Sequence, residues 1–253
     1  MKFYFIRHAQ SENNVLLDKM TTDSHHGEEN DEYLRIRYPD APLSALGREQ
    51  AKLLGGFIGE KINGVQSATV GDASGFDEFT FTHMYVSPMA RTLDTASPVA
   101  EALDIKPVIW EDLHEQGGLW IQEGTKAEKI PQPGLTPAQI KEKYPRFTIP
   151  KTMPADGWWN RPHEKMEECH QRSGRVLEEL LKKHAHTDDL VAMVSHGIFF
   201  NSLMFHLCGF APEDARFYFG IQNVSITRLD INNEVKKLVY QNRVEFLPDN
   251  MIS

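Results

Sequence analysis

Short apolar runs alternate with amphipathic stretches along this chain. Phe3–Ile6 is aromatic and β-branched and stops at the charged pair Arg7-His8, which predicts a short buried strand. From Val15 to Asp40 the chain is polar and of mixed charge, and it reads as an irregular excursion with one helix near Tyr33–Tyr38. Ser44 is placed to cap a helix reaching about Ile62, in which Leu46, Gln50, Leu53, Leu54, Phe57 and Ile58 roughly follow the 3.6-residue period. Asn63–Asp77 is rich in Gly, Ser and Asp and reads as a loop. Phe81–Val86 predicts a second strand, Pro88 opens a helix to about Leu103, and Pro107–Trp110 predicts a third strand. Gln116–Trp159 is a long Gly/Pro-punctuated connection holding one helix, capped by Thr136-Pro137 and ending before Pro145. A helix over Glu164–Lys183, an apolar strand over Leu190–Val194 and an apolar helix over Gly197–Leu207 follow. Val224–Ile231 and Glu234–Phe246 alternate, and Asn232-Asn233 suits the positive-φ positions of a tight hairpin.

Strands alternating with helices predict an α/β fold, a three-layer sandwich with a mainly parallel central sheet flanked by helices. The final hairpin would add antiparallel strands at an edge. With no repeat and no Pro/Gly/Ser linker, residues 1–253 read as a single domain, with the connections at about 15–41 and 116–160 forming a cap.

Composition narrows the classes. Of 253 residues 40% are hydrophobic and 25% charged, and 14 Phe, 7 Tyr and 4 Trp supply a core, which argues against disorder. No apolar run approaches the ~18 residues of a membrane span. The net charge of −9 and the lack of basic clusters argue against nucleic acid. Two cysteines, Cys169 and Cys208, are too few for a disulfide framework and have no metal spacing. The N-terminal apolar stretch, Phe3–Ile6, falls short of the ~7–15 residues of a secretory signal, so the expected setting is cytoplasmic.

Binding sites in open parallel sheets form beyond the carboxyl ends of the strands. Arg7-His8, Arg91, Glu115 and Ser195-His196-Gly197 each fall at or beyond a different predicted strand end. One such residue alone is ordinary surface or structure; four in this arrangement make a pocket. Two Arg and two His suit a phosphate dianion, because guanidinium groups offer paired donors and stay charged. One histidine could then attack phosphorus, with nearby Arg charges keeping its imidazole neutral. Glu115 is the candidate acid for the leaving oxygen.

These residues sit in motifs that resemble the histidine phosphatase superfamily, which includes the cofactor-dependent phosphoglycerate mutases. Arg7-His8-Ala9-Gln10-Ser11-Glu12-Asn13-Asn14 resembles its opening Arg-His-Gly segment. Leu43-Ser44-Ala45-Leu46-Gly47-Arg48-Glu49-Gln50-Ala51, Ser87-Pro88-Met89-Ala90-Arg91 through Thr95-Ala96, Leu113-His114-Glu115 and Val194-Ser195-His196-Gly197 are similar to its later segments, in the family's order. The resemblance implies a phosphohistidine at His8 and a phosphoryl group held by Arg7, Arg91 and His196. It further implies Glu115 as proton donor and then base, Asn14 and Ser11 as further phosphate contacts, and neither metal nor cofactor. Ala9 stands where glycine is usual, adding only a methyl group, tolerable if φ there is negative. Ile198 stands where mutases of the family carry Asn.

The expected activity is therefore hydrolysis of a small phosphorylated metabolite, with the mutase as alternative. A non-catalytic interaction protein on the same fold is a weaker alternative, because neither nucleophile nor acid is lost. The apolar Ile198 and the absence of a strong basic cluster in the connections, where Lys126, Lys129, Lys141, Lys143, Arg146 and Lys151 are scattered, favour the hydrolase. Of Trp158 and Trp159, one is expected in the core and the other, with Arg161, is a candidate for the pocket rim. His25-His26 carries no ligand geometry, and neither His114-Glu115 nor His163-Glu164 completes an HExxH, since Gly118 and Glu167 occupy the last position. Ser74 lies in no GxSxG, and no phosphate-binding glycine loop is present.

Overall fold

The computed structural model describes residues 1–21, 31–62, 79–211, 217–232 and 234–253. In chain order the elements are β1 (Lys2–Arg7), α1 (Glu12–Thr21), α2 (Asp31–Ile36), α3 (Ala45–Ile62), β2 (His83–Val86), α4 (Ala90–Ala102), β3 (Val108–Ile109), β4 (Trp120–Ile121), β5 (Ile130–Pro131), α5 (Pro137–Lys143), α6 (Met166–His184), β6 (Leu190–Ser195), α7 (Gly197–Cys208), β7 (Ile226–Ile231) and β8 (Lys236–Arg243).

Alternation along the strands generates the layers. In β1, Tyr4 and Ile6 enter one apolar cluster and Phe3 and Phe5 the other; in β6, Ala192 and Val194 face the first, Val191 and Met193 the second. The first cluster is closed by α3 and α4 through Leu54, Ile58, Leu93 and Val99. The second is closed by α6 and α7 through Val176, Leu180, Phe199 and Leu203. The sheet order is β3-β2-β6-β1-β7-β8, with β3, β2, β6 and β1 parallel and β7 and β8 antiparallel at one edge. This is the α/β sandwich and terminal hairpin that the sequence pattern predicts.

The connections differ from expectation. Besides the expected helix near Tyr33, which is α2, the first connection is preceded and entered by α1, because Leu16, Leu17 and Met20 pack against Tyr33, Leu34 and Trp120 in a small separate cluster. The second connection carries, besides the expected helix capped by a Thr136–Gln139 capping box, a two-stranded ribbon of β4 and β5. The expected loop at 63–77, the His25-His26 pair, Ser74 and the second turn residue Asn233 lie outside the described residues.

Candidate active site

Pairing of β1 with β6 places Arg7 opposite Ser195, so His8 and His196 are the next residues beyond two adjacent strand ends. Their ring centroids are 5.2 Å apart, and the His8 amide donates to the Ser195 carbonyl at 2.9 Å. Arg91 arrives on the first turn of α4, after β2. Glu115 arrives after β3 and a 3-10 turn at Glu111–Leu113. Four strand ends therefore deliver four groups to one place, as the sequence arrangement implied.

The hydrogen bonds of His8 select its tautomer. Nδ1 lies 2.7 Å from the Ala9 carbonyl, an acceptor, so Nδ1 carries the proton. Nε2 keeps its lone pair and accepts from Arg91 Nε at 3.2 Å. Burial, then the Arg91 and Arg7 charges, hold this imidazole well below its usual pKa, and burial, Arg91 and His8 do the same for His196. His196 is wholly buried; its Nε2 meets Ser87 Oγ at 2.8 Å and its Nδ1 has no partner among the described residues. Burial also lowers the pKa of Arg7 and Arg91.

Glu115 is oriented by backbone amides. Its Oε2 accepts from Ile198 N at 3.1 Å, and Oε1 from Phe199 N at 2.9 Å and Gln116 N at 3.0 Å. The carboxylate thus sits on the positive end of α7. Buried Arg172 fastens the preceding turn, donating to the Asp112 carbonyl at 2.5 Å and to both Glu164 oxygens at 2.6 and 2.7 Å. Asn14 Oδ1 accepts from the Ser11 amide at 3.0 Å and hydroxyl at 2.9 Å, tying those two residues together. Ala9 is not among the residues with positive φ, which explains why a side chain fits there.

The loop carrying His8 is braced by α3. Gln10 donates its amide to Gln50 Oε1 at 2.8 Å and accepts at its carbonyl from Ser44 N at 2.9 Å, while Ser44 Oγ donates to Gln10 Oε1 at 2.7 Å. Ser44 Oγ also accepts from Gly47 N at 3.0 Å, the cap the sequence suggested.

A cavity of about 300 Å³ opens above His8, near the lower end of typical small-ligand sites. Arg7, His8, Ser11, Asn14, Arg91 and Glu115 line it; His196, expected beside them, is wholly buried and not in the lining, with its ring 5.2 Å from that of His8. Two further expectations require correction. Trp158 and Trp159 are both buried, at 2% and 1% exposure, and neither lines the cavity. They pack on His114 at ring-centroid distances of 5.9 and 4.8 Å, and Arg161 stacks 4.7 Å over Trp159, away from the site. Gly118 makes room for this, since a Cβ there would fall 2.1 Å from Trp159 Cζ2. The connections also do bring cations to the site: Arg37, just after α2, and Lys129, before β5, both line the cavity beside Trp120 and His163. No local spacing signals this, because the residues come from separate connections that meet only in the fold. Ile198 lines the wall as an apolar side chain.

Among the described residues one group has metal-ligating chemistry, His83, His184 and Asp189, at the opposite end of the sheet. His184 there is already engaged by Asp189 at 2.7 Å and Tyr85 at 3.0 Å.

The pattern of the histidine phosphatase superfamily (branch 1) matches residues 3–244, and the chain belongs to that superfamily. It is accordingly an enzyme of the histidine phosphatase type. Solved structures share its fold. They include phosphoserine phosphatase from Entamoeba histolytica (TM-score 0.57, 19% identity, covering 98% of this chain and 99% of that one). YhfR of Bacillus stearothermophilus is similar (0.57, 18%, 97% and 98%), as is a mycobacterial glucosyl-3-phosphoglycerate phosphatase (0.55, 18%, 96% and 99%). No curated protein sequence matches the chain. Among the described residues no helix is long and apolar enough to cross a membrane.

Proposed function

We propose that this protein hydrolyses small phosphomonoesters through a phosphohistidine on His8. The observation that carries the reading is the placing of the His8 ring, with Nδ1 2.7 Å from the Ala9 carbonyl and Nε2 3.2 Å from Arg91 Nε, which leaves the lone pair on Nε2. Nε2 attacks phosphorus while the bond to the ester oxygen breaks, and Glu115 gives that oxygen its proton. Water then attacks the phosphorus of phospho-His8 and passes a proton back to Glu115, so that phosphate leaves and His8 is regenerated. Arg7 and Arg91 stabilise the equatorial oxygens of the loose transition state, while His196, the expected third contact, stands 5.2 Å from the His8 ring and outside the cavity lining. Ser11 and Asn14 border the same space, and with Asn14 Oδ1 committed to Ser11, its Nδ2 is the donor for a phosphate oxygen.

Phosphoglycerate mutase remains the second reading, and Arg37 and Lys129 remove one argument against it. The apolar Ile198 wall, which offers no polar contact to a substrate, favours hydrolysis. The test is to incubate the protein with ³²P-labelled ester and quench in alkali. Acid-labile label on the wild type, with label and turnover both absent in His8→Ala, is expected. Turnover surviving in His8→Ala overturns the mechanism. Isomerisation of 3-phosphoglycerate dependent on a bisphosphate, with little phosphate released, overturns hydrolysis and leaves the His8 chemistry standing.

A further inference from the structure

The chemistry above uses one end of the cavity. The other end is built around Trp120, which is buried and belongs to β4. The Arg37 guanidinium carbon lies 3.8 Å, and the Lys129 ammonium 4.1 Å, from the centroid of its ring. Arg37 Nη1 is anchored on the Trp120 carbonyl at 2.6 Å. Its Nε is buried and has no acceptor among the described residues. His163 meets the same indole edge-on, with centroids 5.4 Å apart, and its Nε2 lies 3.1 Å from Lys129 Nζ. Arg37, Lys129, His163 and Trp120 all line the cavity that also exposes Arg7, His8 and Arg91.

We infer that this end is a second anion subsite, so that the substrate is a small phosphomonoester bearing a further carboxylate or phosphate, held by Arg37 and Lys129 while its reacting phosphate lies on His8. The inference rests on the phosphomonoesterase reading above. The indole works as the platform that fixes the two cations and not as an open face for a flat aromatic group. Arg37 contributes a permanently charged guanidinium, fixed on the cavity wall by the Trp120 carbonyl and ring, which suits a carboxylate or phosphate. The sign of the field is registered by His163, whose imidazole is pushed down to about 4 by burial, then by Lys129 and Arg37, with Glu168 opposing weakly. An anion placed there relieves that repulsion. Two anionic groups on a short carbon skeleton match a cavity of about 300 Å³; a long or bulky tail does not.

The experiment compares matched esters: 3-phosphoglycerate against glycerol 3-phosphate, which lacks the carboxylate, and glycerol 1,3-bisphosphate as the diphosphate arm. The wild type should prefer the doubly anionic esters by roughly 10- to 100-fold in kcat/KM, mostly through KM, as one or two charge-assisted hydrogen bonds allow. Arg37→Gln and Lys129→Met should each reduce that preference, the ratio of kcat/KM on 3-phosphoglycerate to that on glycerol 3-phosphate, at least fivefold. Arg37→Lys should recover part of it. The carboxylate and diphosphate arms together tell which anion fits. Calorimetric binding of the same esters to His8→Ala keeps the two readings separate. Tighter binding of the doubly anionic esters without wild-type turnover sustains the subsite and sinks the phosphatase. Equal binding of mono- and doubly anionic esters, or a preference untouched by Arg37→Gln and Lys129→Met, overturns the subsite whatever the turnover.

Discussion

Replacing Gly47 by alanine should damage the site from a distance. Gly47 lies in α3, where its backbone strains nothing, so alanine is locally the better helix former. The obstacle is packing. A Cβ at Gly47 would lie 1.9 Å from the carbonyl oxygen of Gln10 and 2.9 Å from its carbon. Contacts of that type close no nearer than 3.0 Å, so helix and loop must part by about 1 Å. Gln10 is two residues from His8, and its polar groups are tied to Ser44 and Gln50 of the same helix region, which transmits the displacement instead of absorbing it. A misplacement of ~1 Å in a reacting group can cost about 100-fold in rate, and overpacking of this kind costs about 1–3 kcal/mol. Gly56→Ala is the internal control: it sits on the same helix, exposed, with nothing within 4 Å of its added methyl, and should gain about 0.5–1 kcal/mol with unchanged turnover. Urea midpoints and kcat/KM on nitrophenyl phosphate would measure both. If Gly47→Ala matches Gly56→Ala in stability and rate, the bracing of the His8 loop by α3 is wrong.

Glu115→Gln should slow alkyl phosphates strongly and nitrophenyl phosphate much less, because a good leaving group needs little protonation; equal losses on both would indicate a structural role. Arg172→Ala strands the buried Glu164 carboxylate and should cost about 3–5 kcal/mol in denaturant unfolding. His8, His114 and His196 all have folded pKa values depressed first by burial, so the unfolded chain takes up protons that the fold refuses. Stability should be full above the unfolded value of about 6.5 and fall as pH drops below it, by up to about 1.4 kcal/mol per histidine per pH unit. Asp40, raised to about 6 by burial, works in the opposite sense between pH 6 and 4 and offsets part of the loss. Urea midpoints from pH 7.5 to 5 that stay flat would contradict this.

How much of this was legible from the sequence depended on whether the signal was local. The layers could be read because apolar strand runs and amphipathic helical stretches follow one another along the chain, and the strand-end groups because each follows an apolar run. The motif Leu43-Ser44 through Ala51 was visible as a resemblance, while its physical reason, a glycine and two polar residues bracing Gln10, needed the fold. The helix α1 was missed because its apolar stripe serves a small satellite cluster and not the main core. The two-residue strands β4 and β5 are too short to show any period. Arg37, Lys129 and His163 became a group only when two polar connections met over Trp120, and the space for Trp159 was set by a missing side chain at Gly118.

The register of β1 against β6 has a consequence for how the molecule forms. Arg7 faces Ser195 across a parallel ladder between segments far apart in the chain, and His8 and His196 meet only because that ladder is in step. Parallel pairing between such distant segments carries a large loop-closure cost before any contact repays it, so it is intrinsically slow. A slip of one residue would send every side chain of the strand to the other face. The two histidines therefore cannot assemble ahead of the sheet's centre. Recovery of activity after dilution from denaturant should follow the slowest phase of core formation, making turnover a clock for the ladder's closure.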